Sequence, residues 1–246
     1  MKQVFADWWQ ALLNLIFPAC RCVCCGQEAL LSATGLCPNC KKNWEDGAKE
    51  YRTCNLCPTF IPVGEDYCIN CWEGKKHWFD SAIAVFPYHG VIRDTIHDFK
   101  YRGRVKWAKP LGRLMVEAIQ KDSRFHHIDM LIPVPLHERR KSQRGYNQSE
   151  LLAKEIGLGL GLPMSTGILI RVKNTPSQTG LKRKGRQENL TNAFQVLDSC
   201  GVQGKNILLI DDIYTTGATV EACSRILKRE GARRVLVITF SAGKYY

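Results

Sequence analysis

The sequence predicts an α/β domain built around a parallel sheet, preceded by a small cysteine-rich module stapled by metal. Three observations support this. Beyond residue 80, short runs of branched apolar residues alternate with segments of helical spacing, the pattern of strands feeding crossover helices. Ten of the twelve cysteines lie between Cys20 and Cys71, most of them in CxxC pairs. The run Ile207-Leu208-Leu209-Ile210 is followed by Asp211-Asp212 and then by a small, hydroxyl-rich loop, as if a buried strand delivered two carboxylates to a sheet edge.

The chain opens with Phe5, Trp8, Trp9, Leu12, Leu13 and Ile16 at i, i+3, i+4 spacing, which reads as an amphipathic helix packing on the metal module. A lipoprotein signal ahead of Cys20 fits poorly. Lys2 alone supplies the leading charge, Asp7 interrupts the apolar stretch, and Phe17-Pro18 is a poor cleavage context. The stretch is also too short for a bilayer span. No membrane segment and a cytoplasmic location are expected.

Two cysteine units follow in tandem. Cys22 and Cys25 are followed after eleven residues by Cys37 and Cys40; Cys54 and Cys57 are followed after ten by Cys68 and Cys71. Each CxxC forms a knuckle presenting two thiolates, and two knuckles close a tetrahedral four-cysteine site for Zn2+. Closed coordination implies two structural zinc ions, without which a segment so poor in large aliphatics would hardly fold. Clustered pairs argue for metal in a reducing compartment rather than for a disulfide scaffold. Cys20 and Cys24 are left over, and either can stand in as a ligand of the first site. The expected division is residues 1–78 for the amino-terminal helix and double zinc ribbon, and 79–246 for the α/β domain.

In that second part Ser81–Phe86 is a strand. Ile92, Ile96 and Phe99 mark one helix face; Leu111, Leu114, Met115, Ala118 and Ile119 mark another. Met130–Pro135 is a short strand ending at prolines. Tyr146 to Gly157 starts a helix with Asn147 as cap, Glu150 three residues on, and Tyr146 with Leu151 as a hydrophobic staple. Val220, Cys223, Ile226 and Leu227 share a helix face that makes Cys223 an inert core residue. Gly231 ends that helix, and Val235–Phe240 is another buried strand.

The chemistry concentrates around residues 207–219. Backbone amides and the helix dipole favour an anion at Thr215, Thr216, Gly217, Ala218 and Thr219, and Gly217 permits close approach. Asp211 and Asp212 beside it suit the hydroxyls of a ribose. A nucleotide triphosphatase strand would need GxxxxGK[ST], and a dinucleotide site GxGxxG; the sequence contains neither. The formal net charge is +12, which suggests phosphate-rich partners. Basic residues recur in three places: Arg139, Arg140 and Arg144 in a loop directly after a strand; Lys182, Arg183 and Arg186 in a loop able to fold over a substrate; and Phe99-Lys100-Tyr101-Arg102-Gly103. The first set suits a pyrophosphate. The interleaved aromatic and basic residues Lys100, Tyr101 and Arg102 can stack bases and track phosphates.

Ile207 to Thr219 resembles the phosphoribosyl pyrophosphate (PRPP) signature of type I phosphoribosyltransferases. Together with the tandem four-cysteine units, the stretch Pro133–Leu136 leading to Arg144–Gln148, and the Gln178–Asn189 loop, the chain resembles the ComF family. That resemblance implies a type I phosphoribosyltransferase-like domain behind a double zinc ribbon. It implies Asp211 and Asp212 on the ribose hydroxyls, the Thr-Gly loop on the 5-phosphate, and Mg2+ accompanying PRPP. It further implies a phosphoribosyltransferase of unknown acceptor that serves natural transformation, where single-stranded DNA and DNA-uptake proteins would be partners. A second reading keeps the pocket for ligand sensing in a non-catalytic single-stranded DNA-binding competence factor.

Overall fold

The computed structural model describes residues 21–28, 34–173 and 192–244. The expected amino-terminal helix, Cys20, and Lys182, Arg183 and Arg186 lie outside the described residues.

The cysteine-rich part repeats one design twice. Cys37 precedes helix α1 (Pro38–Asp46) at φ −70° and ψ 158°; Cys68 precedes α2 (Ile69–Trp72) at φ −71° and ψ 158°. The third cysteine of each set thus caps a helix, and the fourth lies three residues on, which brings the two thiols to one side. One backbone contact recurs as well. Cys37 N–H donates to Cys22 Sγ at 3.3 Å, and Cys68 N–H to Cys54 Sγ at 3.4 Å. In the second unit an antiparallel hairpin, β1 (Tyr51–Thr53) and β2 (Phe60–Pro62), carries Cys54 and Cys57 in its turn.

The main sheet runs β3 (Ser81–Pro87), β8 (Arg234–Ala242), β7 (Asn206–Tyr214), β4 (Met130–Pro133), with every neighbour parallel. The two central strands are covered on both faces, so Ile207–Ile210 and Val235–Ile238 are all 0 % exposed. Pleating divides them: Ile207, Leu209, Val235 and Val237 enter one core; Leu208, Ile210, Leu236, Ile238 and Phe240 enter the other. The first core is closed by α7 (Ala218–Arg229), through Val220, Cys223 and Leu227, and by the hairpin β5 (Leu169–Arg171) and β6 (Phe194–Val196). The second is closed by α3 (Gly90–Tyr101), α4 (Ala108–Lys121) and α6 (Gln148–Leu160). Each core also takes in a cysteine group. Cys54, Cys57, Cys68 and Cys71 belong to the first; Cys22 and Cys37 belong to the second, with Trp44 packed on Phe86, Trp107 and Phe240.

Three local expectations are corrected. β7 does not stop at Ile210, because its ladder with β8 continues with Asp211 opposite Thr239 and Tyr214 opposite Ala242. The acids therefore sit within the strand and leave it on opposite faces. The stretch around Arg139 to Arg144, expected as a loop, is helix α5 (Glu138–Arg144). His137 Nδ1 accepts Arg139 N–H at 3.2 Å at its start, and Gly145 at φ 82° ends it. Asn147 caps α6 as expected, its Oδ1 accepting Ser149 N–H at 3.1 Å, but Glu150 pairs with Lys141 at 3.3 Å instead of closing a capping box. Among the described residues no helix is long and apolar enough to cross a membrane.

Candidate functional site

The carboxyl end of β7, the amino termini of α6 and α7, and the last turn of α3 surround a cleft of about 410 Å³. Its floor is the turn from β7 into α7. Gly217 stands at φ 77° as the residue before α7, a left-handed conformation that suits glycine. The Tyr214 ring folds back over it. The cleft is lined here by Thr215, Gly217, Ala218 and Thr219, so the first amides of α7, which lack intrahelical acceptors, point at whatever binds. Thr216 turns the other way, toward a separate cavity beside the second cysteine group.

Asp211 and Asp212 flank this floor. Asp212 is 5 % exposed and pairs with Lys100 at 2.8 Å. Burial works against the Lys100 charge, but Asp212 outweighs it and holds the ammonium above its ordinary range. Asp211 Oδ1 accepts from Ser149 Oγ at 2.9 Å and from Asp212 N–H at 2.9 Å. Burial and then the Asp212 carboxylate push the Asp211 carboxyl up to about 7, against the opposing pull of Lys100. Lys100 is itself positioned by α6. The carbonyl of its neighbour Phe99 accepts from Tyr146 Oη at 2.5 Å and Gln148 Nε2 at 3.3 Å, which ties the end of α3 to the start of α6.

The opposite wall is cationic. Arg140 and Arg144, four residues apart on α5, share its inward face, and Arg171 joins them from β5. Burial, and then the cationic neighbour, hold Arg140 and Arg171 below their ordinary range; that neighbour is Arg144 for Arg140, and Arg140 for Arg171. Three guanidinium groups on one wall are relieved by an anion. Arg139 projects to solvent and does not line the cleft. At the mouth, Arg144 lies over the Tyr101 ring, 5.1 Å from its centroid, and Tyr101 is 61 % exposed. Arg102 turns outward to Asp98 at 3.0 Å.

The cysteines form two groups, Cys22, Cys25, Cys37 and Cys40, and Cys54, Cys57, Cys68 and Cys71, each with its four sulfur atoms within 4.8 Å of one another. Cys24 is not in the first group. A tetrahedral zinc site with bonds of about 2.3 Å has sulfur–sulfur edges of about 3.8 Å. The contacts of 3.9 Å between Cys25 and Cys37 and 3.6 Å between Cys57 and Cys68 match that edge. All four cysteines of the second group are buried, whereas Cys25 of the first is exposed.

Ser149 and Arg171 escaped sequence reasoning. Ser149 reads as an ordinary first-turn helix residue, and Arg171 stands in a short strand that reaches the cleft only through tertiary packing.

A parallel sheet with a phosphate-type turn after its central strand, facing paired acids, is the architecture of a phosphoribosyltransferase domain. The family model described as "Phosphoribosyl transferase domain" matches residues 147–244. The chain as a whole belongs to the competence protein F (ComF) family. It is 31 % identical over 221 residues to "Competence protein F" of Haemophilus influenzae, covering 88 % of this chain and 94 % of that one. It is likewise 31 % identical over 222 residues to "DNA utilization protein YhgH" of Salmonella typhi, with the same coverage. "Competence protein ComFC" of Bacillus subtilis is 30 % identical over 169 residues, 67 % of each chain.

Proposed function

We propose that this chain binds PRPP with Mg2+ in the cleft and serves the uptake or use of incoming DNA. The observation that carries the ligand assignment is the shared wall geometry: Thr215 with Gly217, Ala218 and Thr219 of the turn, the Asp211–Asp212 pair and the Arg140–Arg144–Arg171 cluster all line one cleft. The turn holds the 5-phosphate through backbone amides and Thr hydroxyls. The acids accept from the ribose hydroxyls, and the guanidinium cluster takes the pyrophosphate by bidentate contacts. Lys100 pairs with Asp212 at 2.8 Å and fixes the position of its carboxylate. The hard oxygens of the two acids suit Mg2+, which when bound neutralises the polyphosphate and eases departure of pyrophosphate. The residues themselves supply a preorganised field for charge developing at the anomeric carbon.

The two four-cysteine groups are proposed as structural zinc sites, residues 1–78 as the unit that carries them, and the cytoplasm as the location. The DNA role follows from the names of the relatives, competence protein F and DNA utilization protein, together with the charge of +12. Calorimetry with PRPP and Mg2+ tests the ligand: wild type should bind, and the Asp211→Asn/Asp212→Asn pair should not. Negligible heats for both would overturn the assignment.

A second reading, a non-catalytic single-stranded DNA-binding factor, is favoured by one observation: the exposed Tyr101 ring stacked with Arg144 at the cleft mouth. Aromatic stacking is sequence-tolerant. Tyr101→Ala should then weaken oligonucleotide binding without flattening its salt dependence, and Arg144→Ala should flatten it. Pyrophosphate release from PRPP with a panel of acceptors and no oligonucleotide binding at low salt would exclude this reading.

A further inference from the structure

Glu221 lies in the first turn of α7, four residues past Gly217, yet its carboxylate faces the second cysteine group rather than the cleft. Oε2 accepts Trp78 N–H at 3.0 Å. Oε1 meets His77 Nδ1 and lies 3.7 Å from Lys75 Nζ. The other imidazole nitrogen, Nε2, is 3.3 Å from Cys71 Sγ. Stacking on Phe79, with centroids 4.6 Å apart, fixes the ring plane. The His77 and Glu221 side chains are only 6 % and 15 % exposed. Buried contacts therefore run without a break from Cys71 through His77 and Glu221 to the helix turn whose amides line the cleft.

A second route runs beside the first. Tyr214 and Thr216 share a cavity of about 220 Å³ with Cys57, Cys68, Cys71 and His77. Thr216 Oγ1 is buried and has no hydrogen-bond partner among the described residues. The Tyr214 ring lies so close over Gly217 that a Cβ there would sit 2.5 Å from Cζ. One side of the phosphate turn thus faces the cleft, and the other rests on the walls of the second cysteine site. The first group has no comparable link among the described residues: its neighbours are Trp44 and the aromatic core.

We propose that the second four-cysteine group and the phosphate turn form one mechanical unit, in which His77 is a positioning residue that transmits metal occupancy to the amino terminus of α7. The proposal rests on Thr215–Thr219 being the seat of the PRPP phosphate. A bound metal fixes Cys71 Sγ, Cys71 fixes the imidazole, and the imidazole with Trp78 N–H fixes Glu221 and the first turn. Linkage then requires the reverse effect: a ligand that prefers the ordered turn must tighten the metal in the second group and leave the first alone.

The test measures zinc release from the full-length chain into a colorimetric chelator, with and without PRPP and Mg2+, alongside calorimetry of PRPP. Release should have two phases, the faster from the group containing exposed Cys25. PRPP should slow the later phase at least about fivefold, the lower end of ordinary coupling, and leave the early phase unchanged. In His77→Ala and in the near-isosteric Glu221→Gln, the ratio of rates with and without PRPP should fall toward one, leaving only what the Tyr214–Thr216 route carries, and PRPP should bind more weakly. A purely structural role for His77 would alter the release rate but not its dependence on PRPP. If wild type binds PRPP and both phases ignore it, or if both variants keep the ratio, the coupling is refuted while the ligand assignment stands. Absence of PRPP binding by zinc-loaded wild type would overturn the assignment and the coupling with it.

Discussion

Gly217→Ala separates two costs that the phosphate turn imposes on residue 217. The first is conformational: at φ 77° a residue with a Cβ loses about 1–2 kcal/mol in the left-handed region. The second is steric. The new Cβ would lie 2.5 Å from Tyr214 Cζ and 2.8 Å from Cε2, with Oη closer still. Tyr214 is 3 % exposed and its ring, wedged between the turn and the second cysteine site, must shift to make room, at about 1–3 kcal/mol for overpacking. Gly204 isolates the first cost, since it stands at φ 71° and a Cβ added there would meet nothing within 4 Å. Urea unfolding of the two variants should show Gly204→Ala less stable by about 1–2 kcal/mol and Gly217→Ala lower by a further ~1–3 kcal/mol. PRPP affinity should fall in Gly217→Ala and hold in Gly204→Ala. Equal destabilisation by the two substitutions would refute the idea that the Tyr214 ring shapes the turn.

Asp211, raised to about 7 by burial and Asp212, keeps its proton below that pH. PRPP with Mg2+ needs the carboxylate, so affinity should fall about tenfold per pH unit below 7 beyond the titration of PRPP itself; identical calorimetric pH profiles for wild type and Asp211→Asn would contradict this. Arg171→Ala should weaken PRPP binding about 10- to 100-fold, the range for a lost charge-assisted hydrogen bond, whereas Arg139→Ala should stay within about twofold; similar losses for both would displace the anion wall from where α5 and β5 put it. The sequence alone suggests that chelating zinc unfolds the amino-terminal part and spares the rest, but the shared cores predict wider damage. Hydrogen exchange in β8 should rise on chelation, and unchanged protection there would mean the cores are independent.

The buried central strands were legible because burial on both faces leaves an unbroken apolar run, and the cysteine groups because ligand spacing is a local constraint. Asn147 announced its cap for the same reason: the hydrogen bond it makes reaches only two residues. What escaped depends on distance in sequence. The length of β7 past Asp211 is set by β8 pairing, not by its own residues. Helix α5 has no apolar face to betray its period, being held by a histidine cap and a glycine stop. Arg171 and Ser149 join the site from separate elements, and His77 gains its role from a glutamate 144 positions away. Lys100, singled out in the sequence for tracking nucleic-acid phosphates, faces inward to Asp212, a partner no local pattern could name.

The docking of the cysteine-rich module has a consequence for biosynthesis. Phe60 N–H bonds to the Gly243 carbonyl at 3.1 Å, Lys244 Nζ lies 3.6 Å over the Tyr51 ring, and Trp44 packs on Phe240. The cysteine-rich segments therefore complete their packing only once β8, far downstream in the chain, has been made. Closing so long a loop costs entropy and slows folding, and during the wait the thiols have no sheet to shelter them. Metal captured early by the two four-cysteine groups would shield those thiols from oxidation until β8 arrives.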